Sequence, residues 1–123
     1  MKYTFSPPPT PTLRRWCNLY RNFPGQSVLR VLEYEAVSQL DITGNVLDYG
    51  GGQKAKYLNL LANADDIKSA NIDPDIEPTH IVEPGQPLPF PENSFDHIAC
   101  FNTLEHIYDA YGSVEEIQRV LKP

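Results

Sequence analysis

Residues Val46 to Gly52 read Val-Leu-Asp-Tyr-Gly-Gly-Gly, and no other stretch narrows the fold as much. A short apolar strand runs into an acid and then into three glycines. That order puts a carboxylate at the tip of a buried strand. The backbone beside it carries no side chains, so a small charged ligand can approach closely. In open α/β sheets ligands sit beyond the C-terminal ends of the strands.

The flanking segments supply the alternation such a sheet needs. Ser6 to Pro11 holds four prolines in six residues and reads as an extended arm. Thr12 to Tyr20 reads as a short helix. Val28, Leu29, Val31, Leu32, Ala36, Val37 and Leu40 predict an amphipathic helix over Gln26–Leu40, entered after the Pro24-Gly25 turn. Strands are predicted over Asn45–Tyr49, Lys68–Ile72, Thr79–Val82 and Phe95–Phe101. Tyr57, Leu58, Leu60 and Leu61 predict a helix over Lys54–Ala62. Another is predicted over Ser113–Leu121, with Ser113 and Glu116 at capping-box spacing. The six prolines from Pro74 to Pro91 make that stretch mostly a constrained loop. Strands alternating with helices imply an α/β fold with a mainly parallel sheet and right-handed crossovers. The expected organisation is a flexible arm over 1–12 and a single domain over 13–123.

Charge and composition exclude several classes. Ten Lys and Arg stand against 16 Asp and Glu, a net charge of −6. A nucleic-acid binder needs a basic footprint, and Leu13-Arg14-Arg15 is too small to supply one. The sequence has no long apolar run for a membrane span. Met1 to Phe5 lacks the apolar core of a secretory signal, so a cytoplasmic protein is expected. Cys17 and Cys100 read as reduced thiols, Cys100 within a buried strand. No Cys/His spacing points to a metal.

Asp48 and Asp73 are expected on the ligand rim. An acid about 20 residues past a glycine turn is placed to accept from ribose hydroxyls. Asp73 before Pro74 also suits a plain turn, as does Glu83 beside Pro84-Gly85. His106 offers an imidazole that can serve as general base, or it can simply bond at the start of its loop. Tyr49, Phe90 and Phe95 read as packing residues.

Several blocks in order carry a resemblance: Val46 to Gly52, Asn71-Ile72-Asp73, Leu88-Pro-Phe-Pro-Glu-Asn-Ser-Phe-Asp96, Leu104-Glu105-His106, and Glu116 to Pro123. From about Asn45 onward the chain resembles the class I S-adenosylmethionine-dependent methyltransferases. The resemblance implies a Rossmann-like sheet. Gly50, Gly51 and Gly52 would hold the methionine end of S-adenosylmethionine, and Asp48 its ammonium group. Asp73 would take the ribose, Glu83 would lie near adenine, and Asn102 would face the methionine moiety and a small-molecule acceptor. Methyl transfer would then be an in-line displacement, with His106 as the candidate base. Lys54 stands where the family usually has a further glycine, which puts a positive charge near a cationic ligand.

The family sheet runs 3-2-1-4-5-7-6, and strands 1 to 4 are matched here. The expected sheet is therefore 3-2-1-4, truncated after the fourth strand. That leaves the strand over 95–101 at an edge, and an apolar edge invites pairing. A homo-oligomer covering it is expected. Two other readings stay open. Gly50, Gly52 and Ala55 fit the dinucleotide pattern G-x-G-x-x-G/A with Asp73 as ribose acid, although Leu88 to Asp96 argues against a nicotinamide oxidoreductase. The chain can also be a non-catalytic remnant that binds a cofactor or partner.

Overall fold

The computed structural model describes residues 7–83 and 85–123. Two compact units are present, one up to Gln39 and one from Leu40 to Pro123. Residues 1–6 of the expected arm lie outside the described residues, and Pro7 to Thr12 form neither helix nor strand.

The first unit is a pair of helices, α1 (Leu13–Asn22) and α2 (Val28–Val37). Each starts at a hydroxyl cap. Thr12 accepts from the Arg15 amide at 3.2 Å and Ser27 from the Arg30 amide at 3.3 Å, as caps of this type do. The Arg15 guanidinium clasps both oxygens of Glu35 across the pair. The Phe23 and Tyr34 rings meet edge to face at 5.3 Å.

The second unit carries strands β1 (Gly44–Tyr49), β2 (Ala64–Asn71), β3 (His80–Ile81) and β4 (His97–Ala99), then helix α3 (Ala110–Val120). The sheet is parallel and ordered β3-β2-β1-β4, as expected. Alternation along β1 splits its side chains between two faces. Val46 packs with Leu61 and Ala99 on one face. Leu47 packs with Ala70, Leu88, Phe90, Phe95 and Val120 on the other.

Three expectations are corrected. The segment Lys54–Ala62 is not an α-helix. Its bonds run three residues back, from Ala55 to Gly52, Leu58 to Ala55 and Leu60 to Tyr57, and only Leu58–Leu61 forms a short 3-10 helix. That geometry stacks residues three apart, so Leu58 and Leu61 both reach the Val46 cluster. The fourth strand is confined to His97–Ala99, and Cys100 lies half-buried just past it. Phe95 instead forms a parallel bridge with Leu121, and the Lys122 amide donates to the Phe95 carbonyl at 2.9 Å.

The third correction concerns α3. It begins before Ser113, because Asp109 is its cap and accepts from the Gly112 amide at 2.9 Å. Asp109→Ala is expected to cost about 1 kcal/mol, read as a lower melting temperature. Glu116 closes no capping box. It accepts from the Leu88 amide at 2.7 Å, while Arg119 donates to the carbonyls of Phe90 and Leu88. The Leu88–Asp96 block is thus a loop clamped by α3. Its Asp96 accepts from the Asn45 amide at 2.9 Å and pairs with Lys122 at 2.7 Å.

Candidate functional site

The tips of β1, β2 and β4 meet at the glycine turn. Gly50 takes φ +90, and a side chain there would strike Thr103 at 2.1 Å. The Gly50 amide donates to the Ala70 carbonyl at 2.8 Å, and the Asn71 amide group donates to the Gly50 carbonyl. Thr103 donates its hydroxyl to the carbonyls of Tyr49 and Phe101. The turn is therefore stitched to both neighbouring strand ends.

Asp48 lies beneath it, fully buried, in register with Ser69 of β2 and Ala99 of β4. Tyr57 donates its hydroxyl to Asp48 Oδ1 at 2.7 Å. Asp48 Oδ2 has no hydrogen-bond partner among the described residues. It occupies the place of a Gly51 side chain, 1.8 Å from where that Cβ would be. Burial pushes the Asp48 carboxyl up to about 6, against the opposing pull of the Tyr57 bond. Asp48 thus sits under the rim, not on it as expected.

A cleft of about 200 Å³ opens beside the turn, lined by Tyr49, Gly50, Asn71, Ile72, Asn102 and His106 among others. It adjoins a second of about 470 Å³, which shares Tyr49, Ile72, Val82 and His106 and adds Glu83 and the 85–88 segment. Asn102 has φ +51, a left-handed backbone that asparagine tolerates. Of the expected site residues, Gly50, Asn102, His106 and Glu83 are brought to the clefts. Gly51, Gly52, Asp48 and Asp73 do not line them. Gly52 is buried against the Ile76 carbonyl, where a side chain would approach to 2.3 Å. Asp73 is exposed, and its carboxylate caps the Pro74–Ile76 turn by accepting from the Asp75 amide at 2.9 Å.

Lys54 lines neither cleft. Its ammonium donates to the Asp75 carbonyl at 2.8 Å and pairs with Glu77 at 3.0 Å. The Gln53 amide donates to the Glu77 carbonyl at 3.1 Å, so the segment after the glycines is tied to the turn after β2. The residues missed by sequence reasoning are Tyr57, Thr103 and the side chain of Asn71. Only Asn71 carried a signal, since it directly precedes the Ile72-Asp73 pair.

A methyltransferase-domain family of type 11 matches residues 37–123. The chain belongs to that methyltransferase family. One relative is the cycloartenol-C-24-methyltransferase of Arabidopsis thaliana, 35% identical over 108 residues that span 81% of this chain and 29% of the relative. Two solved structures share the fold. The YcgJ protein of Bacillus subtilis has a TM-score of 0.55 at 23% identity, covering 74% of this chain and 44% of its own. A putative S-adenosyl-L-methionine-dependent methyltransferase of Methanococcus maripaludis has a TM-score of 0.60 at 17% identity, covering 86% and 52%. This methyltransferase chain therefore spans less than a third of its curated relative and about half of either structure. Its strand order β3-β2-β1-β4 belongs to the fold it shares with both structures. Among the described residues no helix is long and apolar enough to cross a membrane.

Proposed function

We propose that the chain binds S-adenosylmethionine along the two adjoining clefts and directs its methyl group to a small-molecule acceptor. The reading is carried by the buried Asp48 oxygen beneath Gly51 that finds no partner among the described residues. A buried anionic oxygen is costly unless compensated, and the ammonium group of the donor is a suitable compensation. The nucleoside end then runs past Ile72 and Val82 toward Glu83. Asp73 reaches the ribose by giving up its bond to the Asp75 amide. When bound, the donor supplies a methyl group already activated on a sulfonium. The chain's own task is alignment and exclusion of water, which is where most of the rate arises in such a displacement. His106, which lines the same cleft as Asn102, is the proposed acceptor of the proton the methyl acceptor loses. A sterol is the first acceptor to test, given the curated relative's name.

Titration with S-adenosylhomocysteine, followed by calorimetry, tests the reading. We expect binding by S-adenosylhomocysteine and none by NADH. The reverse result supports the dinucleotide alternative. Asp73→Asn keeps the turn cap, since asparagine caps equally well, but loses the anionic acceptor. It is expected to weaken S-adenosylhomocysteine about tenfold with little change in melting temperature. Unchanged affinity removes Asp73 from the site. The reading also retains a homo-oligomer over the outer side of β4, the edge strand of the order β3-β2-β1-β4. Sedimentation of the purified chain tests it.

A further inference from the structure

We infer that Tyr57 is a positioning residue for the methyl donor: its hydroxyl holds one oxygen of Asp48, leaving the other to face the donor's ammonium group across Gly51. The inference rests on the donor reading above and adds a residue that the glycine and acid motifs do not contain.

The geometry is specific. Tyr57 is buried, with 8% of its surface exposed. Its ring sits edge to face on Phe101, centroids 4.6 Å apart. Phe101 follows β4, so the ring is fixed from the far side of β1. The hydroxyl then meets Asp48 Oδ1 at 2.7 Å. A carboxylate on a short side chain, held at one oxygen, has little freedom left. Its second oxygen lies at the spot that a Gly51 side chain would fill. The in-register neighbours do not compensate it. The Ala99 side chain has no polar atom, and the Ser69 hydroxyl accepts from the Thr79 amide at 2.9 Å.

Tyr57 acts on this carboxyl from the crossover, and the carboxyl in turn helps to raise the Cys100 thiol at the end of β4. Neither Tyr57 nor Cys100 carries a positive charge. A pair built only for packing gains nothing from a buried, half-satisfied acid, and apolar residues of the same volume are generally as stable or more so. A bound cation changes that balance, because opposite charge nearby favours the ionised form.

The test compares S-adenosylhomocysteine, which has the ammonium, with 5′-methylthioadenosine, which lacks the amino-acid part. Tyr57→Phe keeps the ring and its contact with Phe101. It is expected to weaken S-adenosylhomocysteine about tenfold and leave 5′-methylthioadenosine within about twofold. In the wild type, affinity for S-adenosylhomocysteine should rise with pH as Asp48 ionises. In Tyr57→Phe that rise should move to higher pH, because the hydroxyl that favours the ionised carboxylate is gone. Equal losses for both nucleosides, or no loss for S-adenosylhomocysteine, overturn the inference. Asp48→Asn gives a second reading should Tyr57→Phe not fold. It keeps an acceptor for Tyr57 and removes the charge, so it should lose S-adenosylhomocysteine selectively and flatten the pH profile. Asp48→Asn binding that matches wild type overturns the inference. A wild type that binds neither nucleoside overturns the donor reading, and this inference with it.

Discussion

Gly51→Ala is expected to destabilise the sheet unit by about 3 kcal/mol or more, seen as a melting temperature about 15 °C lower. The added methyl would lie 1.8 Å from Asp48 Oδ2 and 2.2 Å from its Cγ. Neither side can yield cheaply. Asp48 is fully buried, and its other oxygen is held by Tyr57. Gly85→Ala is the control. Gly85 has φ +74 but nothing within 4 Å of an added methyl, so only the left-handed backbone is penalised, by about 1 kcal/mol. Adding Asp48→Ala to Gly51→Ala should recover part of the loss, because contacting sites couple. Equal melting for the two alanine variants would show that the carboxylate does not occupy that space.

The second large effect is the dependence of stability on pH. Asp48 is lifted from 3.8 to about 6 in the folded chain, chiefly by burial. The folded state therefore binds this proton more tightly than the unfolded state. Stability from this group is full below the unfolded value and is lost as pH rises through the folded one. At 1.36 kcal/mol per unit, the wild type should lose about 2 kcal/mol between pH 4 and pH 7 relative to Asp48→Asn. Asp96, Glu35 and Glu116 are held below the usual carboxylate range by Lys122, Arg15 and Arg119, so they act in the opposite direction at lower pH. These pairs are present in both proteins and cancel in the difference. Denaturant unfolding of wild type and Asp48→Asn across that range checks the slope. Parallel curves would mean that Asp48 is not desolvated.

Much of the sheet was legible because its signals are local. Val46 to Gly52 marks a buried strand followed by a turn that tolerates no side chains, and Gly50, Gly51 and Gly52 are all in tight contact. The order β3-β2-β1-β4 follows once strands alternate with crossovers. The polar start of β2 was not legible. Ala64, Asp65 and Asp66 have no strand periodicity, and Ala64 and Asp66 pair with Gly44 and Asn45 of β1.

Tertiary bonds overrode local pattern in three places. Tyr57, Leu58, Leu60 and Leu61 have helical spacing, yet the Gln53 and Lys54 amides are claimed by the turn after β2 and Tyr57 by Asp48. Ser113 and Glu116 have capping spacing, yet Glu116 serves the Leu88 loop. Lys54 looked like a neighbour of the ligand, yet Glu77 and the Asp75 carbonyl hold it. Each competing partner lies more than 10 residues away or across a loop, where periodicity carries no information.

The position of β4 beside β1 has a consequence for synthesis. One flank of β1 can close early on β2, which is near in sequence. The other flank takes His97–Ala99 and must wait until that stretch has left the ribosome. At roughly 5–20 residues per second, that delay is on the order of several seconds. For that interval the nascent chain carries a half-built central strand, and a chaperone or a neighbouring polysome product can reach its open side before the native partner does.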